Sequence, residues 1–158
     1  MKINMYRSCL ERNGYVSVVA EKGKQYVCDG RKQFRNPEIV ADFCRTQLHI
    51  DQSAEERVYI FALNAQTHLM GVFEASVGTS DYSVVPVREI LRNLLALNAL
   101  RFAMVHNHPS GYPCPSADDI TVTERLKDAA KSVGVELVDH IIIGNYGNYY
   151  SMQEEGVM

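Results

Sequence analysis

Apolar and polar positions along this chain fall into short runs of two kinds, and each kind predicts an element. Val58-Tyr59-Ile60-Phe61-Ala62-Leu63 is unbroken by polar residues, the mark of a strand buried on both faces. Asn64-Ala65-Gln66-Thr67 then reads as a hairpin turn, with a returning strand over 68–77. Val87, Ile90, Leu91, Leu94 and Leu95 recur at helical spacing and predict an amphipathic helix over 86–98. Phe102-Ala103-Met104-Val105 is a short buried strand that delivers the chain to His106. Val122, Leu126, Ala129, Ala130 and Val133 form the core face of a helix that opens near Ser116 and stops at Gly134. Residues 135–143 give another strand, and 148–151 a final one.

Upstream, Asn36-Pro37-Glu38 combines a capping Asn, a Pro at the first helical position and an acid in the first turn. Ile39, Val40, Phe43 and Leu48 continue it as a helix near 37–49. Tyr15 to Val19 and Gln25 to Cys28 read as two short strands about a turn at Lys22-Gly23-Lys24, followed by the polar breaker Asp29-Gly30-Arg31-Lys32. The expected organisation is a β-hairpin appendage over 1–35 and one α/β domain over 36–158, its mixed sheet flanked by helices rather than built as strict βαβ units.

Composition narrows the function. The 158 residues carry 16 Lys+Arg against 19 Asp+Glu, a net charge of -3, so no global basic field draws the chain to nucleic acid. No run of 18 apolar residues predicts a membrane span. The N-terminus lacks the apolar centre of a signal peptide, and the four cysteines form no CxxC pair. A cytoplasmic protein with reduced thiols is the expectation.

Chemistry concentrates in Val105-His106-Asn107-His108-Pro109-Ser110-Gly111-Tyr112-Pro113-Cys114-Pro115-Ser116-Ala117-Asp118-Asp119. Residues two apart on an extended chain point the same way, so His106 and His108 can aim both imidazoles at one point. A hydrolytic zinc site needs three protein ligands and an open position for water. Asp119 can supply the third ligand from the first turn of the next helix, where the helix dipole favours a carboxylate. Each part also has a structural reading: Ser116 and Asp119 fit a capping box, and three prolines stiffen many surface loops.

The pattern H-x-H-P-x6-S-x2-D, met by His106, His108, Pro109, Ser116 and Asp119, resembles the signature of the JAB1/MPN/Mov34 (JAMM, MPN+) metalloenzymes. HNHPSG at 106–111, VGT at 77–79, Arg88-Glu89 and VDHIIIG at 138–144 resemble its bacterial RadC branch, over about residues 36–152. The resemblance implies a JAB/MPN, cytidine deaminase-like architecture. It also implies zinc held by His106, His108 and Asp119, with Ser116 helping to hold a developing oxyanion. Glu56 occupies the place of that family's glutamate, before the buried strand at 57–61. Glu55 is its neighbour by one register step, and Glu89 and Glu74 are weaker rivals. The implied activity is a zinc metallopeptidase or isopeptidase acting on a peptide or protein. The alternative it carries is a DNA-repair or mobile-element protein acting through DNA or partner binding. Pro86-Val87 departs from the His-Pro usual before the Arg-Glu pair, Tyr112 departs from a small polar residue, and the helix-hairpin-helix region of longer relatives has no counterpart here.

Other residues invite roles. His140 is expected to be structural or to support a ligand rather than ligate. Cys114 reads as an ordinary loop residue with fourth-ligand or redox roles as the alternative, and His49 and His68 as surface residues. Tyr146, Tyr149 and Tyr150 could line a peptide groove or simply pack. Lys22, Lys24, Arg31, Lys32 and Arg35 form a modest basic cluster whose default is a solvated face. The contiguous His106-Asn107-His108 spells HNH without the separation along the chain that the nucleases of that name have.

Overall fold

The structure, a computed structural model, describes residues 1–78 and 84–158; Thr79 of the VGT motif lies outside the described residues. The strands β1 (Lys2–Leu10) and β2 (Val16–Val27) form an antiparallel hairpin. Its turn holds Asn13-Gly14, with Gly14 at φ +83°, a conformation glycine adopts without a Cβ penalty. The hairpin expected across 15–28 is thereby corrected. Lys22-Gly23-Lys24 does not reverse the chain. It lies in a bulge, where the pairing jumps from Asn4↔Gln25 to Tyr6↔Ala20 and Gly23 takes φ +78°.

α1 (Pro37–Phe43) starts where expected, with Asn36 Oδ1 accepting from the N–H groups of Glu38 at 2.9 Å and Ile39 at 3.4 Å. It is shorter than the 37–49 reading. A π-helical turn over Cys44–Leu48 follows, and His49 at φ +51° ends it. Then come β3 (Arg57–Leu63), β4 (Leu69–Val77), α2 (Val87–Ala96), β5 (Arg101–Asn107), α3 (Ala117–Ser132), β6 (Glu136–Ile143) and β7 (Tyr149–Ser151). Each of these lies where the apolar pattern placed an element.

The seven strands among the described residues form one mixed sheet in the order β2-β1-β4-β3-β5-β6-β7. The β1–β4 and β5–β6 pairs are parallel and the others antiparallel. β1 therefore sits within the sheet beside β4, Asn4 opposite Gly71 and Met5 opposite Val72. Alternation along β3 explains its unbroken apolar run. Tyr59, Phe61 and Leu63 face the core shared with Val40, Ala41 and Phe43 of α1. Val58, Ile60 and Ala62 face the core shared with Ile90 and Leu94 of α2 and Leu126 of α3. Each fully buried side chain of this kind contributes about 1.5–3 kcal/mol, which anchors the middle of the sheet. His106, opposite Val58 on β3 and Ile142 on β6, follows Met104 onto the α3 side at the end of β5. Among the described residues no helix is long and apolar enough to cross a membrane.

Candidate metal centre

The end of β5, the loop that follows it and the first turn of α3 meet at one point. His106 Nε2 lies 2.9 Å from His108 Nε2 and 3.2 Å from Asp119 Oδ1, and His108 Nε2 is 3.5 Å from Asp119 Oδ2. Ligand atoms of His106, His108 and Asp119 all fall within 4.8 Å of one another, close enough for one metal ion. Among the described residues this group of three includes neither Cys114 nor His140.

Local sequence explains the convergence. Strand periodicity puts both imidazoles on one side, and His108 N–H bonds to the Ile143 carbonyl at 3.0 Å, which fixes the exit from β5. Ser116 caps α3 in a reciprocal box: its hydroxyl accepts from the Asp119 N–H at 3.1 Å, and Asp119 Oδ2 accepts from the Ser116 N–H at 2.7 Å. The Ser116 hydroxyl donates to the same Oδ2 at 2.6 Å. The capping and metal-binding readings of this pair are therefore compatible, because the cap aims the carboxylate at the histidines.

Their surroundings move the two histidines in opposite directions. Burial holds His106 down to about 4, so it is a neutral ring at physiological pH. The hydrogen bond to Asp119 raises His108, outweighing its partial burial, and the Tyr112 carbonyl at 2.8 Å from Nδ1 adds to the rise. Burial alone would raise Asp119, but His108, His106 and Ser116 together hold it well below the usual carboxylate range. The site thus presents an anionic oxygen beside two imidazole nitrogens, a donor set that suits a borderline cation such as zinc.

A cleft of about 560 Å³ opens over these residues, with Glu56 on its rim and Val58, Val85, Met104 and Val122 on its apolar wall. Glu56 precedes β3 and is fixed through its neighbours. Buried Asn107 accepts from the Arg57 N–H at 2.9 Å and donates to the Glu55 carbonyl at 3.1 Å, clamping the peptide units on either side. The middle residue of the contiguous HNH thus has a structural task that spacing did not suggest.

The competing carboxylates lie elsewhere. Glu74 binds Arg57 and Tyr59, and with Glu89 it lines a separate groove. Glu55 pairs with Arg57 at 3.6 Å. Tyr146 is almost fully exposed, Tyr149 packs on the α1-side core, and none of the three tyrosines lines the cleft. His49 and Cys114 are exposed, His68 is half-buried and all four cysteines are free. In the basic cluster, Lys24, Arg31 and Lys32 each pair with a nearby carboxylate.

His140 is fully buried on β6, with Nε2 2.7 Å from His106 Nδ1. On its other side Nδ1 lies 2.5 Å from the hydroxyl of Thr123, also fully buried. The apolar spacing that predicts α3 does not single out Thr123.

An α/β sheet that gathers two histidines and an aspartate at a strand end defines a protein with a donor set that could hold a metal ion. The family model for the RadC-like JAB domain matches residues 34–157, and the chain belongs to that family. Its relatives include UPF0758 proteins of Thermotoga maritima (39% identity over 74% of this chain and 51% of the relative) and Bacillus licheniformis (38%, over 83% and 57%). A UPF0758 protein of Desulforudis audaxviator is 33% identical over 92% of this chain and 64% of the relative. The chain spans about half the length of curated relatives that it matches.

Proposed function

We propose that this chain is a zinc-dependent hydrolase of amide bonds, a metallopeptidase or isopeptidase acting on a peptide or protein. The observation that carries the reading is the joint presence of a His106-His108-Asp119 donor set and Glu56 on one open cleft. The donors suit the ion: two imidazole nitrogens and one carboxylate oxygen leave a fourth position for solvent. When bound there, Zn²⁺ supplies Lewis acidity, lowering the pKa of a water to about 7 and polarising a carbonyl.

The rest falls to the chain's own side chains. Glu56 accepts the proton of the attacking water and passes it to the leaving nitrogen as the C–N bond breaks, leaving a carboxylate and a free amine. The Ser116 hydroxyl turns from Asp119 Oδ2 to donate to the oxyanion that forms on the carbonyl oxygen. The apolar wall of Val58, Val85, Met104 and Val122 excludes water from one side and receives an apolar group of the substrate.

The test is a purified Glu56→Gln variant assayed on a peptide library and on isopeptide-linked substrates, with metal content measured in parallel. Zinc at the wild-type level together with hydrolysis reduced by at least about 10³ is the expected result. Undiminished cleavage by that variant would remove Glu56 from the mechanism. A wild-type protein that binds no zinc would remove the whole reading.

A further inference from the structure

Resting on the metal-centre reading above, we infer that Thr123 and His140 are positioning residues: they form a one-way hydrogen-bond chain that locks His106 in the tautomer able to bind a metal. A neutral imidazole carries one N–H, and only the bare nitrogen can ligate. For His106 the nitrogen facing Asp119 and His108 is Nε2, so the proton must reside on Nδ1.

The direction of the chain is set by its one member with no choice. The carbonyl oxygen of Asp119 can only accept, and the Thr123 hydroxyl lies 2.5 Å from it, one helical turn on. Thr123 therefore spends its single proton on that carbonyl and offers only a lone pair to His140 Nδ1 at 2.5 Å. His140 must then carry its proton on Nδ1, which leaves Nε2 as an acceptor. That nitrogen, 2.7 Å from His106 Nδ1, takes the His106 proton, and His106 Nε2 is left bare and aimed at the site. Turning the chain round would forfeit the bond to the Asp119 carbonyl, because the Thr123 hydroxyl has a single proton to give and would have to spend it on His140 Nδ1.

His140 and Thr123 are both fully buried, so water does not compete for these bonds. The chain closes on itself: it runs from the backbone of one metal-binding residue, Asp119, to the ring of another, His106. The His106 ring on β5 and the Asp119 turn of α3 are thereby fixed to one another through β6. The Nδ1 proton of His108 is likewise directed to a pure acceptor, the Tyr112 carbonyl at 2.8 Å.

The test uses the whole chain, first free of metal, with imidazole nitrogens read by long-range ¹H–¹⁵N correlation. In the wild type, His106 is expected to show a protonated Nδ1 and an unprotonated Nε2. Thr123→Val removes the hydroxyl at nearly constant shape and is expected to mix the His106 tautomers. It should weaken Zn²⁺ binding about 10–100-fold in chelator competition at fixed pH, the usual loss when the partner of a ligating histidine is removed. Thr123→Ser restores the hydroxyl and should restore both readouts. A wild-type His106 protonated on Nε2, or Thr123→Val binding Zn²⁺ as tightly as wild type, overturns the proposal. If Thr123→Val does not fold, the wild-type tautomer and Thr123→Ser still decide it. The tautomer is read without substrate, so failure to find amide hydrolysis leaves this result standing, and the reverse also holds.

Discussion

The two walls of the site are built on different physical terms. The inner wall, carrying His106, His140 and Thr123 on β5, β6 and α3, is closed to solvent, and its polar atoms are satisfied by side chains from three separate elements. The outer wall, the loop over 108–116, is largely open. It holds His108 through the loop's own Tyr112 carbonyl and the Ile143 carbonyl at the end of β6. Two histidines separated by one residue accordingly behave in opposite ways, His106 lowered to about 4 by burial and His108 raised by Asp119. The inner wall can give a ligand a fixed orientation. The outer wall can admit a substrate and still complete the donor set.

The largest expected effect tests that division directly. His106→Ala and His108→Ala should both abolish Zn²⁺ binding, since each removes one of the three proposed donors. Their stabilities should part company. His106→Ala opens a cavity in a closed region and leaves His140 Nε2 without its partner, so a loss of roughly 3–4 kcal/mol is expected in chemical denaturation. His108→Ala removes a ring that solvent and loop can replace, and a cost within about 1 kcal/mol is expected. Equal losses for the two variants would show that the walls do not differ as described.

A pH-dependent effect of intermediate size sharpens the description of the inner wall at β6. Asp139, next to His140, is buried and accepts from the Ser151 hydroxyl at 2.6 Å and the Gln153 N–H at 3.1 Å, fastening the C-terminal turn. Burial pushes its carboxyl up to about 6 despite those bonds. The folded state therefore binds a proton that the unfolded state, near 3.8, has already lost. Stability from this group is complete below about pH 4 and declines as pH rises to about 6, by on the order of 2 kcal/mol. Asp139→Asn has no charge to bury. Across melting curves from pH 4 to pH 7, the variant should gain on the wild type steadily and then hold its lead. Parallel curves would place the ionised carboxylate in a better-solvated environment than the fold indicates.

The same contrast explains what could be read from the chain. His106, His108 and the Ser116–Asp119 cap were legible because each relation is local: strand period for the first pair, one helical turn for the second. The RadC-like motif added Glu56, whose place before β3 follows from the unbroken apolar run. The inner wall was not legible in detail. Thr123 and His140 meet His106 only because α3, β5 and β6 pack together, and no spacing along the chain encodes that meeting. β1 escaped for a related reason. Its buried positions, Ile3 and Met5, alternate with polar residues over too short a span, and its partner β4 lies more than sixty residues away in parallel. The turn that joins it to β2 carries a local signal, Asn13-Gly14, which the reading of Lys22-Gly23-Lys24 as the turn did not use.

The smallest expected effect probes whether the outer wall moves alone. Gly144, buried just beyond β6, lies against the loop; a Cβ there would sit 2.5 Å from the Gly111 carbonyl oxygen and 2.9 Å from Pro113 Cδ. Backbone and a proline ring cannot rotate out of the way, so Gly144→Ala must push the loop outward. The loop is exposed along much of its length, and relief by displacement should limit the cost to about 1 kcal/mol, the low end for overpacking. Displacing Tyr112 lengthens its bond to His108 Nδ1, so Zn²⁺ affinity should fall a few-fold. The His106–His140–Thr123 chain touches neither Gly111 nor Pro113. In imidazole ¹H–¹⁵N spectra the His108 signals should therefore shift while those of His106 and His140 stay in place. Shifts of similar size in all three rings would mean that the two walls form a single mechanical unit and that orientation of the inner ligand depends on the loop.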